Sequence, residues 1–319
     1  MKAMVIEGYG GAERLVRREV EAPRPGPGQV AIRVRATSVN PIDWKIRSGH
    51  MRLFKRARFP AILGFDAAGE VIEIGPEVSQ FEPGEAVYGY LDNPLGGGYA
   101  EVAVARESSL APLPPSLTFE EAAALPLAGL TALQALRDRG ELAAGERLLV
   151  NGAAGGVGHL AVQIGAAIGA RVTGVASRRN QELVLAMGAE RAIDYEEVDF
   201  TGEEQVYDVV FDAAGNRTFE DCSSVLSPEG GIYVSTHGGP KLAIWALLSA
   251  ASGLVGRHRR ARLVLARPSG PDLAVLGRMV EAGKLRPAVG RVYTLEDLPR
   301  AHAASESGHA RGKIVVRIE

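Results

Sequence analysis

Gly152, Gly155 and Gly158 stand at three-residue spacing between two apolar runs, Leu148-Leu149-Val150 and Leu160-Ala161-Val162. Small residues so placed suit one task, the holding of a diphosphate. Glycines let a backbone close in on a ligand. The first N–H groups of a helix lack intrahelical partners and carry partial positive charge. The candidate cradle is Gly152, Ala153, Ala154, Gly155, Gly156 and Val157, with Ala154 where the common dinucleotide pattern has its second glycine. Further on, the apolar run 170–176 ends in Ser177-Arg178-Arg179-Asn180. An acidic residue there would hold a ribose 2′-hydroxyl and repel a 2′-phosphate. The hydroxyl of Ser177 and the guanidinium of Arg178 would instead bind that phosphate through charge-assisted hydrogen bonds. These residues point to NADPH as the cofactor.

For the cradle to work, the first run must be a buried strand, the glycines its turn, and the second run a helix aimed at the turn. From residue 147 onward strand and helix patterns do alternate. The strand candidates are 147–150, 171–176, 191–194, 208–212 and 231–235. Such alternation predicts an α/β unit, a doubly wound parallel sheet with right-handed crossovers and its ligand at the carboxyl ends of the strands. Residues 1–110 read differently. Short alternating segments such as Val30-Ala31-Ile32-Arg33-Val34 and Glu70-Val71-Ile72-Glu73-Ile74 are punctuated by Pro and Gly, as in Pro23-Arg24-Pro25-Gly26. That pattern predicts a compact, β-rich, barrel-like unit. Thr118-Phe119-Glu120-Glu121 announces a capped helix, and 131–139 a second one. A last strand over 313–318 is expected to return to the first unit. At 319 residues the chain exceeds one ordinary core. The expected division is 1–120, 121–265 and 266–319, the last piece rejoining the first.

Composition excludes several classes. The apolar fraction of 46% and charged fraction of 23% are those of a globular protein. A net charge of −2 offers no bulk attraction for nucleic acid. The single cysteine, Cys222, rules out an intramolecular disulfide and a cysteine-cluster zinc site. It reads as an inert small hydrophobe. Strand-like sequence starts at Met1 with no leader pattern, which gives a cytoplasmic expectation. The uncharged run 242–256 is shorter than the roughly 20 residues of a transmembrane helix. It is open to three readings: a lid over the acceptor pocket, a dimer contact, or a membrane-surface patch beside the basic residues up to 262.

Val39-Asn40-Pro41-Ile42-Asp43-Trp44-Lys45, Leu63-Gly64-Phe65-Asp66-Ala67-Ala68-Gly69, Ala128-Gly129-Leu130-Thr131-Ala132, the 153–158 turn, Gly188-Ala189, Ile193-Asp194-Tyr195 and Gly312-Lys313 follow one another in a familiar order. In these stretches the chain resembles the zinc-independent quinone oxidoreductase branch of the medium-chain dehydrogenase/reductase superfamily, with its zeta-crystallin-like and alkenal-reductase members. The resemblance implies a Rossmann-type domain, a GroES-like barrel domain, and a homodimer formed through a sheet edge. Zinc-dependent relatives carry Cys near the Asn40 position and Gly-His-Glu near 64–66. Here these are Asn and Gly-Phe-Asp, so no metal is expected. Without a Lewis acid, hydride addition to a quinone or an α,β-unsaturated carbonyl is favoured over alcohol oxidation.

The resemblance also puts roles on residues. Asn40 and Asp43, in a Pro-containing turn, would face the nicotinamide, or else simply form the turn. Lys45 would stabilise a developing enolate or touch cofactor, or be solvated. Thr131 would start a helix aimed at the cofactor, or merely cap it. Tyr195 would pack on the adenosine and reach the 2′-phosphate, or be a half-buried strand-end aromatic. His309, Arg311 and Lys313 would pass the cofactor, or form a solvated basic tail. Enoyl-thioester reduction and nucleotide binding without turnover are the alternatives to quinone or enone reduction.

Overall fold

The computed structural model describes residues 1–237, 245, 259–308 and 310–319. The chain divides into two compact units. One holds Met1–Leu130, Pro268–Ala282 and Pro287–Glu319; the other holds Thr131–Arg267 and Gly283–Arg286. The boundary expected near 120 thus falls ten residues later, inside the helix Pro126–Gln134. The short return at 283–286 goes with the second unit because Gln163 grips its backbone. The Gln163 side chain donates to Arg286 O at 3.0 Å and accepts from Arg286 N at 2.8 Å.

In the first unit a seven-stranded sheet runs Val289–Thr294, Lys313–Arg317, Gln29–Val39, Asp66–Ile74, Ala86–Tyr90, Leu110–Pro112, with Val102–Arg106 also on Gln29–Val39. Its pairings are antiparallel except between Val289–Thr294 and Lys313–Arg317. The terminal strand does return to this unit. A three-stranded sheet adds Leu15–Glu19, Lys2–Ile6 and Ala61–Ile62. Ile6, Leu15, Ala61, Ile32, Val71 and Ile314, drawn from both sheets, share one apolar core. Thr118 caps the helix Phe119–Ala123. Its Oγ1 accepts from Glu121 N at 3.2 Å while Glu121 Oε2 accepts from Thr118 N at 3.0 Å.

The second unit is a six-stranded sheet in the order Arg191–Asp194, Arg171–Ala176, Arg147–Asn151, Val209–Asp212, Ile232–Ser235, Arg260–Leu263. Every pairing is parallel. Counted within the unit the order is 3-2-1-4-5-6, the doubly wound arrangement that binds ligands where the winding reverses. That reversal lies between Arg147–Asn151 and Val209–Asp212. Leu148, Leu149, Val150, Val209, Val210 and Phe211 are buried there, as a sheet covered on both faces requires. Among the described residues no helix is long and apolar enough to cross a membrane.

Candidate active site

The glycine turn begins where the strand Arg147–Asn151 ends. Gly152 takes φ +81°, a left-handed conformation that glycine adopts at little cost. The N–H groups of Gly152 and Ala153 both donate to Val175 O, at 3.1 and 2.9 Å, which ties the turn to the neighbouring strand. The helix Gly158–Ile168 follows at once. A Cβ at Gly158 would lie 2.0 Å from Gly152 O, so the helix packs against the turn with no room for a side chain. The N–H groups of Ala154, Gly156, Val157 and Gly158 find no acceptor among the described residues. These four donors, gathered at the start of an eleven-residue helix, fit a diphosphate.

Asn151 and Asp212 end the two strands on either side of the reversal, paired in register. Asn151 Nδ2 donates to Asp212 Oδ1 at 2.8 Å and to Asn216 Oδ1 at 2.7 Å. The Asp212 carboxylate also accepts from Gly215 N, Arg217 N and Tyr233 OH. It therefore fixes the loop that follows it beside the cradle. Sequence reasoning passed over this group. Its one local sign is a lone Asp closing an apolar run, Val209-Val210-Phe211-Asp212, just before Gly215-Asn216.

Ser177 and Tyr195 each follow a strand end, and Ala176 pairs with Asp194, so the register sets them side by side. Tyr195 is 54% exposed. Ser177 Oγ accepts from Asn180 Nδ2 at 3.1 Å. Arg178 opens the short helix Arg178–Asn180, with its side chain 81% exposed. It does not stand alone, because Glu197 Oε1 accepts from Arg178 Nη1 at 3.0 Å. A phosphate arriving here meets a guanidinium already shared with a carboxylate.

In the first unit three strand ends converge on a buried polar group. Val39 pairs with Ile314 and Ala36 with Ala68, which brings Ser38 and Asn40 beside Asp66 and Lys313. Lys313 Nζ donates to Asn40 Oδ1 at 2.5 Å and to Val39 O at 3.4 Å, and lies 3.6 Å from Asp66 Oδ2. Asn40 Nδ2 donates to Asp66 Oδ2 at 2.8 Å, Leu127 N to Asp66 Oδ1 at 2.7 Å, and Ser38 Oγ to the same carboxylate. Burial pulls the Lys313 ammonium below its usual range, while the Asp66 and Asp43 carboxylates hold it up.

The expected turn at Asn40 and Asp43 is the start of a helix, Pro41–Arg47. Asn40 is its N-cap, and Asn40 N donates to Asp43 Oδ2 at 2.7 Å. Asp43 Oδ1 has no partner and no exposure. Burial pushes the Asp43 carboxyl up to about 7; the Asn40 bond opposes that shift and the nearby Asp66 charge adds to it. On the far end of the helix, Arg47 is buried against His302 Nδ1 and Glu306. His302 Nε2 faces Tyr99 OH at 3.1 Å. Burial, with the Arg47 charge, lowers His302 to about 3 and keeps it neutral.

Residues 26–115 match the alcohol dehydrogenase GroES-like domain, and 187–316 match a zinc-binding dehydrogenase family. A chloroplast envelope quinone oxidoreductase homolog of Arabidopsis thaliana is 36% identical over 99% of this chain and 98% of its own. A mitochondrial NAD(P)H oxidoreductase of Mus musculus is 34% identical over 100% of this chain and 89% of its own. The quinone oxidoreductase structure of Coxiella burnetii superposes with a TM-score of 0.87, at 35% identity, over 100% of this chain and 99% of that one. The chain belongs to the quinone oxidoreductase branch of the medium-chain dehydrogenase/reductase superfamily. It is an oxidoreductase of that family with a nicotinamide cofactor, NAD(P)H. Its first unit is the GroES-like domain and its second the Rossmann-like one.

Within this family several expected residues find different surroundings. Lys313, 3% exposed, is enclosed by Asn40, Val39 and Asp66, so it is not part of a solvated tail. Arg311 beside it is exposed. His309 lies outside the described residues. Thr131 sits in the middle of the helix Pro126–Gln134, not at its start, because Pro126 is the residue that opens that helix. A capping role for Thr131 is thereby removed. Lys45 is half-buried, its ammonium 5.5 Å from the centre of the Trp44 ring, and burial lowers its pKa. Burial, chiefly, pushes the Cys222 thiol up to about 12 and leaves it inert.

The run proposed as a lid, dimer contact or membrane patch lies outside the described residues over 241–244 and 246–258. Trp245, within it, donates to Glu220 Oε1 at 2.5 Å and packs on Phe219. Of the basic residues that end it, the described ones are engaged, and Arg259 Nε donates to Leu226 O at 3.0 Å. Arg260 and Arg262 both pair with Glu141, at 3.1 and 2.7 Å, in an edge strand of the parallel sheet.

Proposed function

We propose that the protein is an NADPH-dependent reductase that works without metal and reduces a quinone or the double bond of an enone. The observation that carries the cofactor choice is the end of the strand Arg171–Ala176, where Ser177 and Arg178 stand in place of a carboxylate. When bound, the nicotinamide supplies the hydride. The chain's own residues bind and orient it. The N–H groups of Ala154, Gly156, Val157 and Gly158 take the diphosphate, with Gly152, Ala153 and Gly155 shaping the turn. Ser177, Arg178 and Tyr195 take the 2′-phosphate and adenosine. Thr131, Arg311 and His309 are proposed as further cofactor neighbours.

The donor set supports chemistry without a metal. Asn40 and Phe65 stand where zinc-dependent relatives place Cys and His. The Asp66 carboxylate already has a buried cation, since Lys313 Nζ lies 3.6 Å away. Zinc asks for thiolate, imidazole or carboxylate ligands, and an ammonium in their midst competes with the ion. Asn40, Asp43 and Lys313 act as positioning residues: they lock the end of Gln29–Val39 to the start of Pro41–Arg47. Lys45 is the member of this group that we propose polarises the acceptor. Relatives named as quinone oxidoreductases support a quinone as that acceptor.

Stopped-flow absorbance of NADPH, on protein exhaustively treated with chelator, tests the proposal. NADPH oxidation on mixing with 1,4-benzoquinone, and none without it, is the expected result. A stoichiometric zinc whose removal abolishes turnover would overturn the metal-free reading.

A further inference from the structure

Residues 44–65 contain six cations, Lys45, Arg47, Arg52, Lys55, Arg56 and Arg58, and no carboxylate, in a chain whose net charge is −2. Three of the six are engaged in the first unit. Lys45 is half-buried, its ammonium 5.5 Å from the centre of the Trp44 ring. Arg47 is buried against Glu306. Lys55 donates to Pro94 O at 2.8 Å and lies over the Phe65 ring. Arg52, Arg56 and Arg58 are exposed and make no ion pair among the described residues. Between them stand Leu53 and Phe54, 88% and 83% exposed, the two most exposed large apolar side chains among the described residues.

The exposure is built in by anchors on both sides. Tight turns from Arg52 N to Gly49 O and from Phe54 N and Lys55 N to Met51 O shape the tip, while Met51 packs on the core. Beyond the tip, Ala57 N donates to Tyr9 OH, and the Phe59 ring sits edge-on to Tyr9 at 4.9 Å. Leu53 and Phe54 are thus held exposed at the tip of the loop. An apolar pair flanked by cations is matched by a phase with negative charge outside and hydrocarbon beneath. A protein partner would need a pocket cut to receive the pair, whereas a bilayer needs none.

We propose that this loop docks the protein on an anionic membrane surface. Leu53 and Phe54 enter the boundary between headgroups and acyl chains, and Arg52, Arg56 and Arg58 meet lipid phosphates. The loop lies far in sequence from the 241–262 run.

Co-sedimentation with vesicles of phosphatidylcholine alone, and of phosphatidylcholine mixed with phosphatidylglycerol, tests this without reference to the reaction catalysed. Binding to the anionic vesicles that weakens as salt is raised is expected. Arg52→Ser and Arg56→Ser should each weaken it roughly fivefold, and the double change Leu53→Ser with Phe54→Ser should abolish it. Both positions are almost fully exposed, so these variants should keep the parent's thermal unfolding. Absence of binding to either vesicle, equal binding to both compositions, or undiminished binding by the apolar double variant would overturn the proposal. So would a smaller species in gel filtration of that variant, which would assign the tip to a second copy of the chain.

Discussion

In the proposed NADPH site Arg178 is the residue on which cofactor choice would turn, and its pairing with Glu197 limits what it can do. The 2′-phosphate alone separates NADPH from NADH, so a side chain pairing with it acts on that difference. A charge-assisted hydrogen bond is worth roughly 1.5–3 kcal/mol; exposure and the shared carboxylate place Arg178 at the lower end. Arg178→Ala should therefore weaken NADPH about tenfold relative to NADH, read as Kd by titration calorimetry. Joint loss of Arg178 and Arg179 should weaken it further, because Arg179 is close enough in sequence to substitute. Glu197→Gln should strengthen NADPH and leave NADH unchanged, since it frees the guanidinium. Equal effects on both cofactors would mean that the pair serves the fold. Asp43 and His302 make a second prediction, on stability. The folded Asp43 carboxyl, near 7 against its ordinary 3.8, keeps a proton that the unfolded chain has lost. Its contribution therefore falls by about 1.4 kcal/mol per pH unit as pH rises between those values. His302, near 3 against its ordinary 6.5, excludes a proton that the unfolded chain binds, so its contribution rises with pH over that range. The two slopes oppose each other in the parent. Urea unfolding across pH should show Asp43→Asn gaining stability relative to the parent as pH rises, and His302→Gln losing it. Parallel, flat differences would remove the buried acid and the neutral imidazole from the account.

The glycine turn and its helix form the element proposed to hold the diphosphate, and two substitutions separate its roles. Gly158→Ala puts a Cβ against Gly152 O, a backbone atom that cannot move aside without opening the turn. It should lower both thermal stability and NADPH affinity. Gly156→Asp adds a carboxylate beside the diphosphate and should abolish NADPH binding while thermal unfolding stays near the parent's. Unchanged affinity in a folded Gly156→Asp protein would move the phosphate site elsewhere. The turn could be read from sequence because its residues are contiguous. The same holds for the strands Arg171–Ala176 and Arg191–Asp194, bounded by polar residues on both sides. Helix starts were less legible. Thr131 resembles a cap, but Pro126, five residues earlier, begins the helix. The cluster of Asn40, Asp66 and Lys313 was least legible. Asn40 and Asp66 are 26 residues apart and Asn40 and Lys313 are 273 apart, so only strand register brings them together. The family resemblance suggests contact of Asn40 and Asp43 with the nicotinamide; that these residues also brace a helix start comes from their hydrogen bonds.

At the scale of the whole chain, the two folds were legible because each has its own period. Alternating strands punctuated by Pro and Gly give the GroES-like unit, and alternating strand and helix give the Rossmann-like one. The exchange of small pieces was not legible. Residues 121–130 belong to the first unit and 283–286 to the second, the latter through two hydrogen bonds from Gln163 that no local pattern announces. A buried ammonium now stands close to the Asp66 carboxylate. A metal would have to displace it, so dialysis against zinc should leave no stoichiometric ion on the protein by mass spectrometry of metals. A tightly held zinc would mean that the Lys313 cluster opens. The central claim is that the chain is built for NADPH. The measurement that reaches it most directly is kcat/KM for NADPH and for NADH, with 1,4-benzoquinone as acceptor. The account predicts a value about tenfold or more higher for NADPH; an equal or higher value for NADH would contradict it.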